Sequence, residues 1–512
     1  MNNHSSDQKR IAKNTVMLYI RMILIMLVSL YTTRVVLNIL GESDYGIYNI
    51  VGSVVVSMIF IQHSLMSATQ RFLSYEMGLK ENGDVAKVFS SSLNLHLKFI
   101  IIIFVLLESI GLWFLNYILD IPSDRMFAAN IVYQFSILTF CLNMVRIPYN
   151  AIIISYENMN IYAAVSIIEA ILKLSIVIAL KYFYSDKLIA YGILVFVITL
   201  LINAMYIGYC RRTYRTETKT DFKGDKVVIK KMRGFLGWNL LGGVTGVATN
   251  EGPNYFMNYF LGVTVNAAMG VAKQVSGAIY SFATSFQNAF NPQIVKAYAA
   301  NDKEYLYDLI NKTSLLSFYL LFLFAFPIIN SADFIFNLWL VDVPKYTTIF
   351  CVLIILGQFV ATLSSPLWMV AHATGDIKNY QIVLSILSLL VIPVSYIVLV
   401  LHYPPFYILI FQVILNIAVF IYRLLFVRAK IGLSIRRFFK DVILKCVFLT
   451  ILIIPVPIIL SMHVTGMLQN CLLIVISFVI SGAVFYFVGL DRETKTIINN
   501  YVSSKICRHR TV

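Results

Sequence analysis

Charge is scarce in this chain. Only 13% of its 512 residues are charged, while 59% are hydrophobic; a soluble domain carries about 25% charged residues. Folded in water, such a chain would be insoluble. It also lacks any long polar stretch: the gaps between apolar runs are mostly under ~15 residues, which leaves no room for a soluble domain. Cysteine is sparse. The six cysteines (Cys141, Cys210, Cys351, Cys446, Cys471, Cys507) make no CxxC and no Cys/His ligand spacing, so neither a disulfide framework nor a metal site is expected. There is no GxSxG, no Walker A loop and no HExxH, which excludes the enzyme classes those motifs serve and ATP hydrolysis within the chain. No nucleic-acid-binding module is visible, no cofactor is implied, and no secretory signal peptide is evident. The first 13 residues are polar and basic, and the apolar run after them is too long for an h-region.

What the chain has is apolar runs long enough to cross a bilayer. About fourteen recur, at 14–40, 45–77, 86–115, 126–154, 159–183, 187–210, 234–260, 264–295, 305–330, 344–371, 379–401, 405–428, 438–462 and 467–489. The expected fold class is an all-α integral membrane protein. Charge orients the stack. With the N-terminus inside, the inner segments hold roughly 26 Lys and Arg, and the outer loops about three, Arg125, Lys187 and Lys345. An even number of spans then leaves both termini in the cytoplasm. The net charge of +16 is mostly a property of that basic face, where it attracts anionic lipid headgroups.

The chain reads as duplicated. A shift of 218 residues places Leu138 on Leu356, Pro148 on Pro366 and Tyr162 on Tyr380; a shift of 221 places Leu40-Gly41 on Leu261-Gly262. Both halves start on the same side, as in parallel transporter repeats. The expected organisation is an N-terminal six-helix lobe (1–210), a basic cytoplasmic linker (211–233), a second six-helix lobe (234–428), an appended hairpin (438–489) and a cytoplasmic tail (490–512). Two such lobes suit alternating access by rocking.

Function must then rest on ionisable groups inside the spans, which are costly and usually face a cavity or a partner. Arg71, Arg146 and Arg423 lie near the inner ends of their spans, where snorkelling explains them. Glu169 and Lys173 are four apart and suit an intrahelical pair, and Glu108 has no obvious partner. Arg34 lies about 10 Å below the outer end of the first span, Lys273 about 14 Å below that of the eighth, and Glu251 about 15 Å below that of the seventh, at 1.5 Å per residue. Glu251 and Lys273 therefore sit at matching depth, ready to pair in one state and part in another. Glu251 precedes Gly252-Pro253, a candidate hinge where proline removes a backbone donor and a helix break is expected. Glu251 is the candidate for ion coupling; Arg34, Lys273, Arg21 and Arg71 are the candidates for a cationic substrate cavity. Tyr255 and Tyr259 flank the expected break, where they would stack on sugar rings or simply pack.

Arg34-Val-Val-Leu-Asn-Ile-Leu-Gly41 followed by Asp44-Tyr-Gly-Ile-Tyr48 resembles the first-to-second-span signature of the Wzx-type polysaccharide flippases. Ala68-Thr-Gln-Arg71-Phe72 and Asn291-Pro292-Gln-Ile-Val-Lys296-Ala-Tyr298 are similar to that family too. These flippases belong to the MOP superfamily, with the MATE drug exporters. The resemblance covers about residues 10–490. It implies movement of undecaprenyl-diphosphate-linked oligosaccharide between leaflets of the bacterial cytoplasmic membrane, through a cationic central cavity and with ion-coupled antiport. It also implies membrane lipids and other polysaccharide-assembly membrane proteins as partners. Arg34 and Arg71 fall within matching motifs; Glu251 and Lys273 do not. The alternative is a MATE-like exporter of small cationic compounds, and the sign of the cavity discriminates the two. A third reading, a membrane glycosyltransferase or polymerase, needs a catalytic outer loop, and the outer loops are too short.

Overall fold

Long helices account for the structure, a computed structural model that describes the backbone of residues 2–56, 58–79, 83–117, 119, 121–182, 186–219, 224–340, 343–461, 466–491 and 495–496. The side chains of residues 2–13 and of scattered positions between 29 and 56 and at 263, Arg34 among them, lie outside the described residues, as does most of the expected tail.

The helices are α1 (Asn2–Val56), α2 (Ile59–Gly78), α3 (Val85–Tyr117), α4 (Met126–Ser155), α5 (Met159–Leu180), α6 (Lys187–Thr213), α7 (Lys226–Leu261), α8 (Val263–Ala299), α9 (Lys303–Asn330), a short α10 (Ala332–Trp339), α11 (Thr347–Ala373), α12 (Lys378–Val400), α13 (Phe406–Ile431), α14 (Ile435–Ser461) and α15 (Met467–Gly489). Ten of them are long and apolar enough to cross a membrane. The others among the expected fourteen spans fall in α1, α2, α7 and α8, which are more polar. Those same four helices meet at the centre of the molecule: α2 packs on α7 and α8, and α1 on α8. A helix that faces other helices and a cavity can carry polar residues that a lipid-facing one cannot.

Local signals fix many helix ends. Asp84, Asp186, Asp225 and Asp302 each accept a backbone N–H in the first turn of α3, α6, α7 and α9, satisfying donors that have no intrahelical partner. Arg211 and Arg212 close α6, and Arg428 and Lys430 close α13, where cations favour the negative end of the helix dipole. The basic linker is shorter than expected, because helix extends to Thr213 and resumes at Lys226.

The two Leu-Gly pairs behave alike. Gly41 breaks α1 at φ 80°, ψ 168°, and Gly262 ends α7 at φ 80°, ψ −174°. Nothing lies within 4 Å of a Cβ at either position, so it is the backbone conformation that requires glycine rather than crowding. Packing repeats as well. In the first half α1 lies on α5, α2 on α4 and α4 on α6; in the second, α7 lies on α12, α8 on α11 and α11 on α13. Pro148 and Pro366 are both buried inside their helices, α4 and α11. The final pair, α14 and α15, packs outside, against α9.

Three apolar clusters hold the bundle. One runs through α2 to α6 and takes in the start of α7 and part of α12. Another lies within the second half, around Met257, Ala268 and Phe350. A third joins the halves at the basic face: Leu18, Ile154 and Met159 share a core with Phe286, Phe290 and Ile294 of α8.

Candidate functional site

A cavity of about 690 Å³ lies between the halves, walled by α2, α7, α8, α11, α12 and α13. Its charged side chains are Arg71, Arg423 and Glu251. Much of the remaining wall is amide: Gln70, Asn239, Asn250, Asn288, Asn291 and Gln381, with Trp368 beside them. Amides offer donors and acceptors together, and an indole ring offers a flat apolar face.

Arg71 is buried late in α2. Its Nη2 donates to the Ala373 carbonyl at 2.8 Å, and its guanidinium lies 4.5 Å from the Phe72 ring and 4.8 Å from the Tyr75 ring. Arg423, on α13, donates from Nη1 to Ser364 Oγ at 3.0 Å. Neither is in an ion pair among the described residues, and the Nε of each is buried without a partner. Arg423 therefore lines the cavity rather than snorkelling to the surface. Arg146 does not snorkel either: it donates to Glu169 at 2.9 Å, and Lys173 donates to the same carboxylate at 2.8 Å. His372 is buried on the same cavity wall, its ring 4.2 Å from that of Trp368.

Glu251 and Lys273 are indeed neighbours. Lys273 Nζ lies 3.3 Å and 3.4 Å from the two Glu251 oxygens, and donates to the Asn250 carbonyl at 3.0 Å. Asn254 Nδ2 donates to Glu251 at 2.8 Å. These groups border both the central cavity and an adjoining one of about 370 Å³ within the second half. The pair is well exposed, with side chains 51% and 37% accessible. The expected break at Gly252-Pro253 is absent: α7 continues through both as helix. Proline withholds an N–H from Thr249, but neighbouring turns carry the helix past it. Tyr255 and Tyr259 are exposed and line neither cavity, so sugar stacking does not fall to them.

Arg21 lies elsewhere, in a separate cavity of the first half. Glu108 has a partner after all, Gln134, whose Nε2 is 3.1 Å away. It sits in a π-helical turn, Leu107–Gly111, whose Leu107 carbonyl accepts from the Leu112 N–H and also from the Tyr133 hydroxyl at 2.8 Å.

The basic face is sealed by polar contacts across the halves. Glu157, between α4 and α5, has a fully buried side chain. It accepts from Gln293 Nε2 at 2.6 Å and from Lys296 Nζ at 2.5 Å, both on α8. Asn14 of α1 donates to the Glu157 carbonyl at 3.0 Å. Nearby, α2 and α8 touch at Gly78, where a Cβ would come within 2.6 Å of the Lys296 carbonyl. Sequence reasoning missed Glu157 because nothing in a loop between two apolar runs shows that it is roofed over by the other half. On the opposite face, Arg125 bridges Asp44 (2.5 Å) and Asp186 (2.6 Å), tying together the ends of three helices. Partial burial raises the Asp186 carboxyl, but the Arg125 guanidinium and the Ile189 and Leu188 amides outweigh it and hold it below the ordinary aspartate range. The Asp186 hydrogen bond in turn raises Arg125.

The MatE family pattern matches residues 253–397. No curated protein matches the chain. Solved structures match over most of its length. An outward-facing multidrug resistance MATE transporter of the MOP superfamily is 15% identical, with a TM-score of 0.70 over 83% of this chain and 97% of that one. A MOP superfamily transporter from Pyrococcus furiosus Vc1 (DSM3638), described as having a binding pocket of reverse polarity, is 14% identical, with a TM-score of 0.68 over 83% and 98%. The MATE transporter ClbM in complex with Rb+ is 15% identical, with a TM-score of 0.70 over 84% and 97%. At this identity the likeness shows the fold alone, the one those solved proteins share. With ten helices long and apolar enough to cross a membrane, the chain is a multi-pass membrane protein.

Proposed function

We propose that the protein flips a lipid-linked oligosaccharide, carried on a prenyl diphosphate, from the inner to the outer leaflet of a bacterial cytoplasmic membrane by alternating access. One observation carries this reading: among the described residues, the cations in the central cavity, Arg71 and Arg423, have no carboxylate partner, while the carboxylate there, Glu251, is already paired with Lys273. A cavity of that sign repels a cationic drug. It suits a phosphate group, which guanidinium recognises well. The amide-rich wall and Trp368 suit the hydroxyls and flat faces of sugars. The matching glycine breaks and helix neighbours support two six-helix repeats, and with α14 and α15 they support the count of fourteen spans. The seal at the basic face is one end of an alternating-access cycle. Lysine and arginine bias supports a cytoplasmic location for that face.

The runner-up, export of small cationic compounds, is favoured by the fold but not by the cavity's charge. Deleting the gene should remove one surface glycan and accumulate its lipid-linked unit inside. Restoring Arg71→Gln,Arg423→Gln should leave that block in place at normal protein level. Full export by the double variant, or an intact glycan with increased sensitivity to cationic drugs, would overturn the proposal.

A further inference from the structure

A second cavity, of about 520 Å³, lies within the first half and shares no lining residue with the central one. Helix α1 contributes Arg21 and Thr32, α4 contributes Arg146 and Asn150, and α5 contributes Tyr162, Glu169 and Lys173. Among the described residues three cations face one carboxylate, so their formal charge is +2. Glu169 is fully committed, since it accepts from both Arg146 and Lys173. Arg21 has no carboxylate partner among the described residues. Its guanidinium lies 4.5 Å from the centre of the Tyr162 ring, and its Nε is buried without a hydrogen-bond partner. Arg146 is held in the same way, 5.7 Å from the Tyr206 ring. Thr32 Oγ1 and Asn150 Oδ1, on the same lining, are also buried without partners.

Orphaned buried polar atoms are few in native proteins, and each calls for a partner. The Arg21 and Thr32 donors, in one cavity beside uncompensated positive charge at membrane depth, call for the same kind of partner. Water satisfies donors but does not neutralise charge. The geometry points to an oxyanion site in the first half that binds a dianionic phosphoryl group. Such a group cancels the +2 charge. It accepts from the Arg21 fork, from Lys173 and from the Thr32 hydroxyl, while the Asn150 amide, which presents either of its ends, donates Nδ2. Aromatic faces hold both guanidiniums in place before the anion arrives. The phosphoryl group comes from one of two sources, a prenyl phosphate headgroup or inorganic phosphate. The site stands apart from the flippase reading, because it needs neither the central cavity nor a sugar.

Equilibrium binding to the purified full-length protein in detergent, at fixed ionic strength, tests this with inorganic phosphate and with farnesyl monophosphate as probes. Wild type should bind at least one of them saturably. Arg21→Gln should lose one bound equivalent or weaken it at least tenfold. Lys173→Gln, which leaves the Arg146–Glu169 pair intact, should weaken it severalfold. Binding of inorganic phosphate identifies a soluble ion as the ligand; binding of farnesyl monophosphate alone identifies a headgroup. If wild type binds neither, or if stoichiometry and affinity are unchanged in Lys173→Gln and in whatever Arg21→Gln protein elutes as a monodisperse peak, the site does not exist.

Discussion

Replacing Glu157 by glutamine should loosen the seal at the basic face. The wild-type carboxylate is fully buried and bonded to Gln293 and Lys296 across the halves. It is also held at φ 60°, a conformation glutamate adopts only when its surroundings fix it. Glutamine keeps the shape but not the charge, so Lys296 is left beside a neutral amide. Breaking a fully buried ion pair costs about 3–5 kcal/mol and an exposed one about 0–1. Lys296 is 21% accessible, which places this loss near 2 kcal/mol. That is about a thirtyfold shift toward the state in which the halves part at this face. A wild type closed at about 99:1 would move to about 77:23. Spin labels at Arg211→Cys on α6 and Lys303→Cys on α9, in a background without native cysteines, report the separation across the halves. Electron–electron distance measurement should show one population in wild type and a second, longer one in Glu157→Gln. Adding Lys296→Met should reverse part of the shift, because the stranded charge is gone. An unchanged distance distribution in Glu157→Gln would show that apolar packing alone holds the seal.

Gly375 sits at φ 77°, where a Cβ would come within 2.5 Å of Arg71 Nη2; Gly375→Ala should push that guanidinium off the Ala373 carbonyl and cut transport as Arg71→Gln does, at near-normal expression. Glu251→Gln should barely move the melting temperature, because an exposed pair contributes about 0–1 kcal/mol. In reconstituted vesicles it should abolish the response to an imposed pH gradient if Glu251 carries the coupled proton; a wild-type response refutes that role. The Asp186 carboxyl is depressed in the folded state, so its stabilisation is present above the ordinary aspartate value of 3.8 and is lost as pH falls below it. Asp186→Asn should therefore melt below wild type at neutral pH, and the gap should close under acid; a gap independent of pH would mean that the hydrogen bonds, not the charge, matter there.

The sequence by itself determined what is set by short-range chemistry and by solvent. Apolar runs give helices of spanning length because the bilayer core supplies no hydrogen-bond partners. Aspartates and lysines at helix ends mark where those helices start and stop, and Leu40-Gly41 and Leu261-Gly262 mark two matching breaks, since only glycine takes that backbone conformation cheaply. The Glu169–Lys173 pair and the proximity of Glu251 to Lys273 were legible too, because spacing along helices of known rise fixes depth. Depth does not fix direction, however. Whether Arg21, Arg71, Arg146 or Arg423 meets lipid, a carboxylate or a cavity depends on which face of each helix is turned inward, and that is settled by packing against helices far away in sequence. Tertiary structure alone put Arg71 and Arg423 on one cavity wall, gave Arg146 to Glu169 and left Arg21 in a chamber of its own. It also carried α7 through Gly252-Pro253 as helix, where the local signal argues for a break. Glu157 shows the limit most plainly: a loop glutamate becomes a buried latch only because α8 of the other half closes over it.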